Sequence, residues 1–270
     1  MTPPTVKDVL AFHKIDRAVY EKFVAHGLEP GRARNVVALF MWLEERIDVI
    51  NQIVQIINPT MIVTLIAEAD AVLHCLQQDD GQSNYIEIPM ITSLAKNRLD
   101  IRYFNYNKDE TVRGLAHILD RIGRLLFDDH MYELLRAYES EEAAVRAGLS
   151  AVRPVVPPAL AMLYAPGMGV PIASTEDARS MVITFSKGFP IGREEIWEHL
   201  TMRWGDCIEK VMMERVPPGG TILPMYGRVV FKTDTYINLL LDGERVSMYN
   251  INGRHLWARN YVPTPTVSVN

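Results

Sequence analysis

Between Leu149 and Ala178 the chain reads LSAVRPVVPPALAMLYAPGMGVPIASTEDA, with prolines at 154, 157, 158, 166 and 171 and glycines at 167 and 169. Each proline fixes φ and removes a backbone donor, so neither a continuous helix nor a central strand can pass through this stretch. It therefore divides the 270-residue chain into two parts that must find separate cores. Met162, Leu163, Tyr164 and Met168 distinguish it from a Gly/Ser tether and predict a linker packed against a domain.

Upstream, the apolar residues follow helical spacing. Thr5 and Asp8 form a capping-box pattern ahead of Val6, Val9, Leu10 and Ile15, and Gly27 ends a second helix carrying Val19, Phe23 and Val24. A third helix starts near Pro30, and its Val36, Val37, Leu39, Phe40, Trp42 and Leu43 are too apolar for a solvated helix, so it is expected at the centre of a bundle. Further helices are expected over 47–57, 60–76 after a cap at Asn58, 110–127, and 130–146. The intervening RLDIRYFNYNKDET reads as an aromatic loop with a helix start at Asn107, its Tyr103, Phe104 and Tyr106 covering the edge of the helical core.

Downstream, the periodicity changes. SMVITFS reads as a strand, GREEIWEHLTMRW as an amphipathic helix, CIEKVMMERV and MYGRVVF as strands, TDTYINLLLDG as a helix, and RHLWARNYV as a last strand. The order β-α-β-β-α-β is that of the split βαβ, ferredoxin-like unit, with two helices on one side of an antiparallel sheet. The expected fold class is α+β: a helical domain over 1–148, a proline-rich linker over 149–178, a ferredoxin-like domain over 179–263 and a tail over 264–270.

The third strand carries a more specific pattern. PMYGRVVF, Pro224 to Phe231, lies on the eight positions of the K/R-G-F/Y-G/A-F-V-x-F/Y signature, with matches at Tyr226, Gly227, Val229 and Phe231. Pro224 replaces the basic residue, Met225 the first glycine and Arg228 the second aromatic. The domain thus resembles the RNA-recognition motif (RRM) family, which holds single-stranded RNA on its open sheet face. The Asn252-Gly253 step before the last strand is similar to a turn frequent in that family. The whole chain also resembles a poorly characterised plant family that joins a helical domain to an RRM-like one, through TVKDVLAFHKIDRAVYEKFV, FSKGFPIGREE and INGRHLWARNYVP. That second resemblance implies no activity.

Alternation along the strands assigns the faces. Gly227, Val229, Phe231, Leu256, Ala258, Met181, Ile183 and Phe185 are expected to point inward. The open face then carries Tyr226, Arg228, Trp257, Arg259, Tyr261, Val182 and Thr184, which the resemblance makes the RNA-binding set. Aromatic rings and guanidinium planes stack on unpaired bases, and arginine also neutralises phosphate. An exposed Trp and Tyr are equally good anchors for a protein partner, so an adaptor binding proteins through both domains is the competing expectation.

Charge bears on that choice. Residues 179–263 hold 11 Lys and Arg against 9 Asp and Glu, a net of +2, and the rest of the chain holds 17 against 24, a net of −7, so the acidic excess resides outside the sheet domain. The apolar run VINQIVQIINPTMIVTLIAEA is interrupted by Asn51, Gln52, Gln55, Asn58 and Pro59, and no membrane association is expected. Two widely separated cysteines and the absence of a basic, apolar leader point to a reduced intracellular compartment, nuclear or cytoplasmic. No enzyme, cofactor or metal is expected. The seven histidines lack ligand spacing, FDDHMYE (Asp128, Asp129, His130) reads as a helix start, GMGVP lacks the context of a dinucleotide loop, His74 points away from the adjacent Cys75 on a helix so that Cys75 reads as a buried small thiol, and Cys207 has no activating base nearby in sequence.

Overall fold

The computed structural model describes residues 4–77, 86–96, 99–164, 176–186, 188–214 and 224–262. Residues 166–171 of the proline-rich stretch (GMGVP included), Arg215 and Val216 of the expected second strand, and the 264–270 tail lie outside the described residues. The chain forms two compact units, one of Met1–Phe12 with Val155–Asn270 and the other of His13–Pro154.

The first unit begins with α1 (Val6–Phe12). Its start is the expected box: Thr5 N–H and Oγ1 donate to Asp8 Oδ2 at 2.8 and 2.7 Å. The second unit is helical throughout its described residues: α2 (Lys14–Ala25), α3 (Pro30–Glu44), α4 (Ile50–Gln55), α5 (Pro59–Gln77), α6 (Pro89–Leu94), α7 (Ile101–Tyr106), α8 (Lys108–Asp120), α9 (Gly123–Leu126) and α10 (Asp129–Arg146). α3 is its centre, with every residue from Val36 to Leu43 buried. Phe40 meets Phe23 of α2 at 5.9 Å between ring centroids, and Trp42 packs on Tyr103 and Phe104 of α7. α8 passes so close to Trp42 that a Cβ on Gly114 would lie 2.2 Å from the indole Cδ1, which explains a glycine inside a helix.

Polar side chains in this unit close helix ends. Lys22 Nζ donates to the carbonyls of Val54 and Ile56 at 2.7 Å, terminating α4, and Glu68 accepts from the amides of Met90 and Ile91, starting α6. The helix expected over 47–57 spans Ile50–Gln55, with Glu44 accepting from the Val49 and Ile50 amides at its start and Lys22 at its end, and the expected 110–127 helix breaks after Asp120 into α8 and α9. The aromatic stretch expected as a loop is helix α7, started by Asp100, whose carboxylate accepts from Tyr103 N–H. Phe104 is fully buried and Tyr106 exposed. The interruptions from Asn51 to Asn58 precede α5 and Pro59 is its first residue, so α5 itself is, by length and composition, long and apolar enough to cross a membrane. It turns the carboxylate of Glu68 inward.

The remaining elements belong to the first unit: α11 (Pro158–Ala161), β1 (Ser180–Phe185), α12 (Arg193–Trp204), β2 (Ile208–Met213), β3 (Tyr226–Phe231), α13 (Thr235–Leu241), β4 (Val246–Ile251) and β5 (Arg254–Asn260). The strands make one antiparallel sheet in the order β2-β3-β1-β5-β4. α12 and α13 supply Ile196, Leu200, Ile237 and Leu241 to a core with Met181, Ile183, Phe185, Val229, Phe231, Leu256 and Ala258, the inward set expected from alternation. β4 was not anticipated. It pairs with β5 through a turn in which Asn252 and Gly253 have φ of 51° and 81°, a left-handed pair suited to Asn-Gly.

The chain's first helix completes this core. Phe12 is buried, its ring stacked on Trp204 of α12 at 5.4 Å with 14° between planes and tilted against Tyr236 of α13 at 6.4 Å. Part of the proline-rich stretch anchors the same end: Val6 N–H donates to Met162 C=O at 2.8 Å, Tyr164 N–H to Pro4 C=O at 2.7 Å, and Leu160 is buried. Residues 4–12 thus pack with the sheet, and the helical unit is an insertion between α1 and α11, differing from a simple order of helical domain then sheet domain. Phe12→Ala is expected to destabilise the sheet unit by about 3–5 kcal/mol through lost burial and a cavity. Urea unfolding of the full chain followed by circular dichroism measures it; an unchanged profile would remove α1 from that core.

Candidate nucleic-acid interface

The sheet face turned away from α12 and α13 is organised in cross-strand rows, because residues paired in register project on the same side. The first row runs Tyr226 (β3), Thr184 (β1), Trp257 (β5), Met248 (β4). The second runs Met212 (β2), Arg228, Val182, Arg259, Val246. The third holds Lys210, Val230 and Ser180, followed by Tyr261, whose N–H donates to Ser180 C=O at 3.0 Å. All seven residues expected on the open face lie on these rows.

Their surroundings divide them. The first row is open: Tyr226 is 50% exposed, Thr184 is exposed, and Trp257 is half-buried with its ring edge-on to His255 at 5.8 Å. The small Thr184 separates two rings carried on strands two apart, a backbone spacing of roughly 10 Å. Arg259, one row along, is exposed and makes no ion pair among the described residues.

The other end is covered. Val230 has no exposed surface although it points away from the helix-side core, and Ser180 is likewise buried. The turn preceding β1 lies over them. From it, Asp177 Oδ1 accepts from Arg228 Nη2 at 2.6 Å, Glu176 Oε1 lies 3.6 Å from the same nitrogen, and Glu176 Oε2 accepts from Lys210 Nζ at 2.9 Å. The Arg228 guanidinium also sits 3.9 Å from the centroid of the Tyr261 ring, and its Nε is buried without an acceptor among the described residues. Arg228 and Tyr261 therefore occupy each other, and only Tyr226, Thr184, Trp257 and Arg259 of the expected set present unengaged groups with Val182 between the two arginines.

Sequence reasoning missed Met248 and Val246 because it missed β4, although an Asn-Gly turn demands a strand on each side. It counted Glu176 and Asp177 as linker charges. No local signal linked them to Arg228, 51 residues away from Asp177.

Gly227, the small residue of the signature, has an internal reason to be small. A Cβ there would lie 2.8 Å from Met212 C=O and 3.3 Å from Ile183 Cδ1. Its side of the strand is the core side, so the glycine admits the β2 backbone rather than a ligand.

Two of the groups considered for catalysis, Asp128 and Asp129, are engaged structurally. Asp128 accepts from Met131 N–H at 3.1 Å, capping α10, and Asp129 pairs with Arg17. Burial pushes the Cys207 thiol up to about 12, so it stays protonated at neutral pH, and Cys75 Sγ donates to Asn105 Oδ1 at 3.0 Å. Among the described residues no group of three or more His, Cys, Asp and Glu is arranged to hold a metal ion.

No protein-family model, curated protein or solved structure matches this chain.

Gly227→Ala is expected to lower the stability of the sheet unit by about 1–3 kcal/mol through overpacking, with the far-UV spectrum retained. Equilibrium denaturation of the full chain checks this, and an alanine variant as stable as the parent would mean that β2 and β3 are further apart.

Proposed function

We propose that the sheet unit is an RRM-type module that binds single-stranded RNA weakly on its first row, and that the helical insertion serves as a protein-interaction module. The observation that carries the reading is the Tyr226–Thr184–Trp257 row with Arg259 beside it: two rings flank a small residue, and an unpaired cation is one register away. Two platforms of this kind suit two unpaired bases, each stack contributing about 1–3 kcal/mol. The ferredoxin-like reading of the sheet is supported by its order. With β4 set aside as an added edge strand, the elements run β-α-β-β-α-β and β2-β3-β1-β5 places the first and third strands of that run side by side. The function is binding rather than catalysis, in an intracellular setting and without a cofactor.

One observation favours a second reading, in which the same face and the helical unit both bind proteins. Tyr226 at one end of the first row and Val246 beside Met248 at the other are exposed apolar groups, and Arg228 is already neutralised by Asp177, which suits an apolar peptide as well as a base.

Fluorescence anisotropy of the full chain with a labelled mixed-sequence 12-nucleotide RNA separates the two. Tyr226→Ala or Trp257→Ala is expected to weaken binding by about tenfold or more, equivalent to one lost stack, in variants that keep the parent's circular dichroism. Arg259→Ala is expected to flatten the dependence of log K on log salt by about 0.7. Absence of binding by the parent, together with a partner retained in pull-downs after nuclease treatment, would replace the RNA reading with the adaptor.

A further inference from the structure

The geometry points to a second, phosphate-binding half of this face, formed by Arg228 and Lys210 and held shut by Glu176 and Asp177 acting as built-in phosphate surrogates. The inference rests on the reading of the face as an RNA surface and extends it to a site that the parent chain keeps occupied.

The argument begins with charge. Three cations stand on the rows: Arg259, Arg228 and Lys210. Arg259 is unpaired among the described residues, whereas the other two are both engaged by one short turn, through Asp177 to Arg228 at 2.6 Å and Glu176 to Lys210 at 2.9 Å. Glu176 also approaches Arg228 at 3.6 Å, so a single carboxylate bridges adjacent rows on β2 and β3. A carboxylate presents the same acceptor geometry to a guanidinium as two oxygens of a phosphate.

The Arg228 side is prepared for such a ligand. Its guanidinium plane is held over the Tyr261 ring at 3.9 Å, Ser180 Oγ lies 2.9 Å from Nη2, and among the described residues Nε remains buried with no acceptor. A planar, pre-oriented guanidinium with an unfilled donor is a group to which a bidentate anion adds a hydrogen bond that the turn does not supply. The covering carboxylates are accessible, with 43% of the Asp177 and 42% of the Glu176 side chains exposed. Ion pairs this exposed are weakly held and screened by salt, so a polyanion competes with them. A strand stacked on Tyr226 and Trp257 and passing Arg259 has this end of the sheet as its neighbour. Its next phosphates meet Arg228 and Lys210 once the turn yields.

The test uses the full chain and the labelled mixed-sequence 12-nucleotide RNA over a range of salt concentrations. Glu176→Gln/Asp177→Asn keeps the shape of the turn and removes its charge. It is expected to tighten binding by about tenfold at 0.15 M salt and to steepen the slope of log K against log salt by about 1.4, two added phosphate contacts at about 0.7 each. Lys210→Ala is expected to leave the parent's slope unchanged, because Lys210 is already paired, and to remove about 0.7 from the slope of the double variant. A parent that binds RNA with the same affinity and slope as the double variant would sink the shut-site proposal and leave the RNA reading intact. Silence from both would overturn the RNA reading and this proposal together. A parent slope that drops by about 0.7 on Lys210→Ala alone also overturns it, and that measurement does not depend on the double variant folding.

Discussion

The stack of Phe12 on Trp204 ties the two ends of the sequence into one core. Without that ring, α12 and α13 would present Trp204 and Tyr236 to water at the site that α1 now fills. Because α1 belongs with the sheet, the 142 residues from His13 to Pro154 become a loop on the sheet unit's own topology, though a loop with a full hydrophobic centre in α3. Both of its ends are fixed to one partner unit.

Much of the local structure was legible in the sequence. Thr5 and Asp8, Gly27, Pro30 and Asn58 each gave a helix boundary that the fold uses, and the period-two pattern separated Met181, Ile183 and Phe185 from Val182 and Thr184 correctly. What was hidden lies in distant pairings. No pattern within VKDVLAF distinguishes a helix packed on α2 from one packed on α13, since the same apolar stripe serves either partner. α4 and α6 take their ends from Lys22 and Glu68, residues far along the chain that look like ordinary surface charges. β4 escaped because an edge strand buried unevenly along its length shows no clean alternation.

The candidate site was legible as a face but not as a set of available groups. Alternation placed all seven residues on one side, which is a property of the pleat. Whether a side chain on that side is free depends on what else reaches it. Arg228 illustrates the difference. By sequence it is the arginine in an aromatic position, whereas in the fold it is stacked on Tyr261 and neutralised by Asp177. The charge count of the domain, slightly positive, is therefore a poor guide to the potential over the sheet.

The closure of the sheet unit by its earliest helix also has a consequence in time. Phe12 leaves the ribosome 192 residues before Trp204, and at roughly 5–20 residues per second the ring waits about 10–40 s for its partner. During that interval the inserted helical unit can complete its own core while α1 stays undocked. α1 is thus made well before the helices against which Phe12 packs.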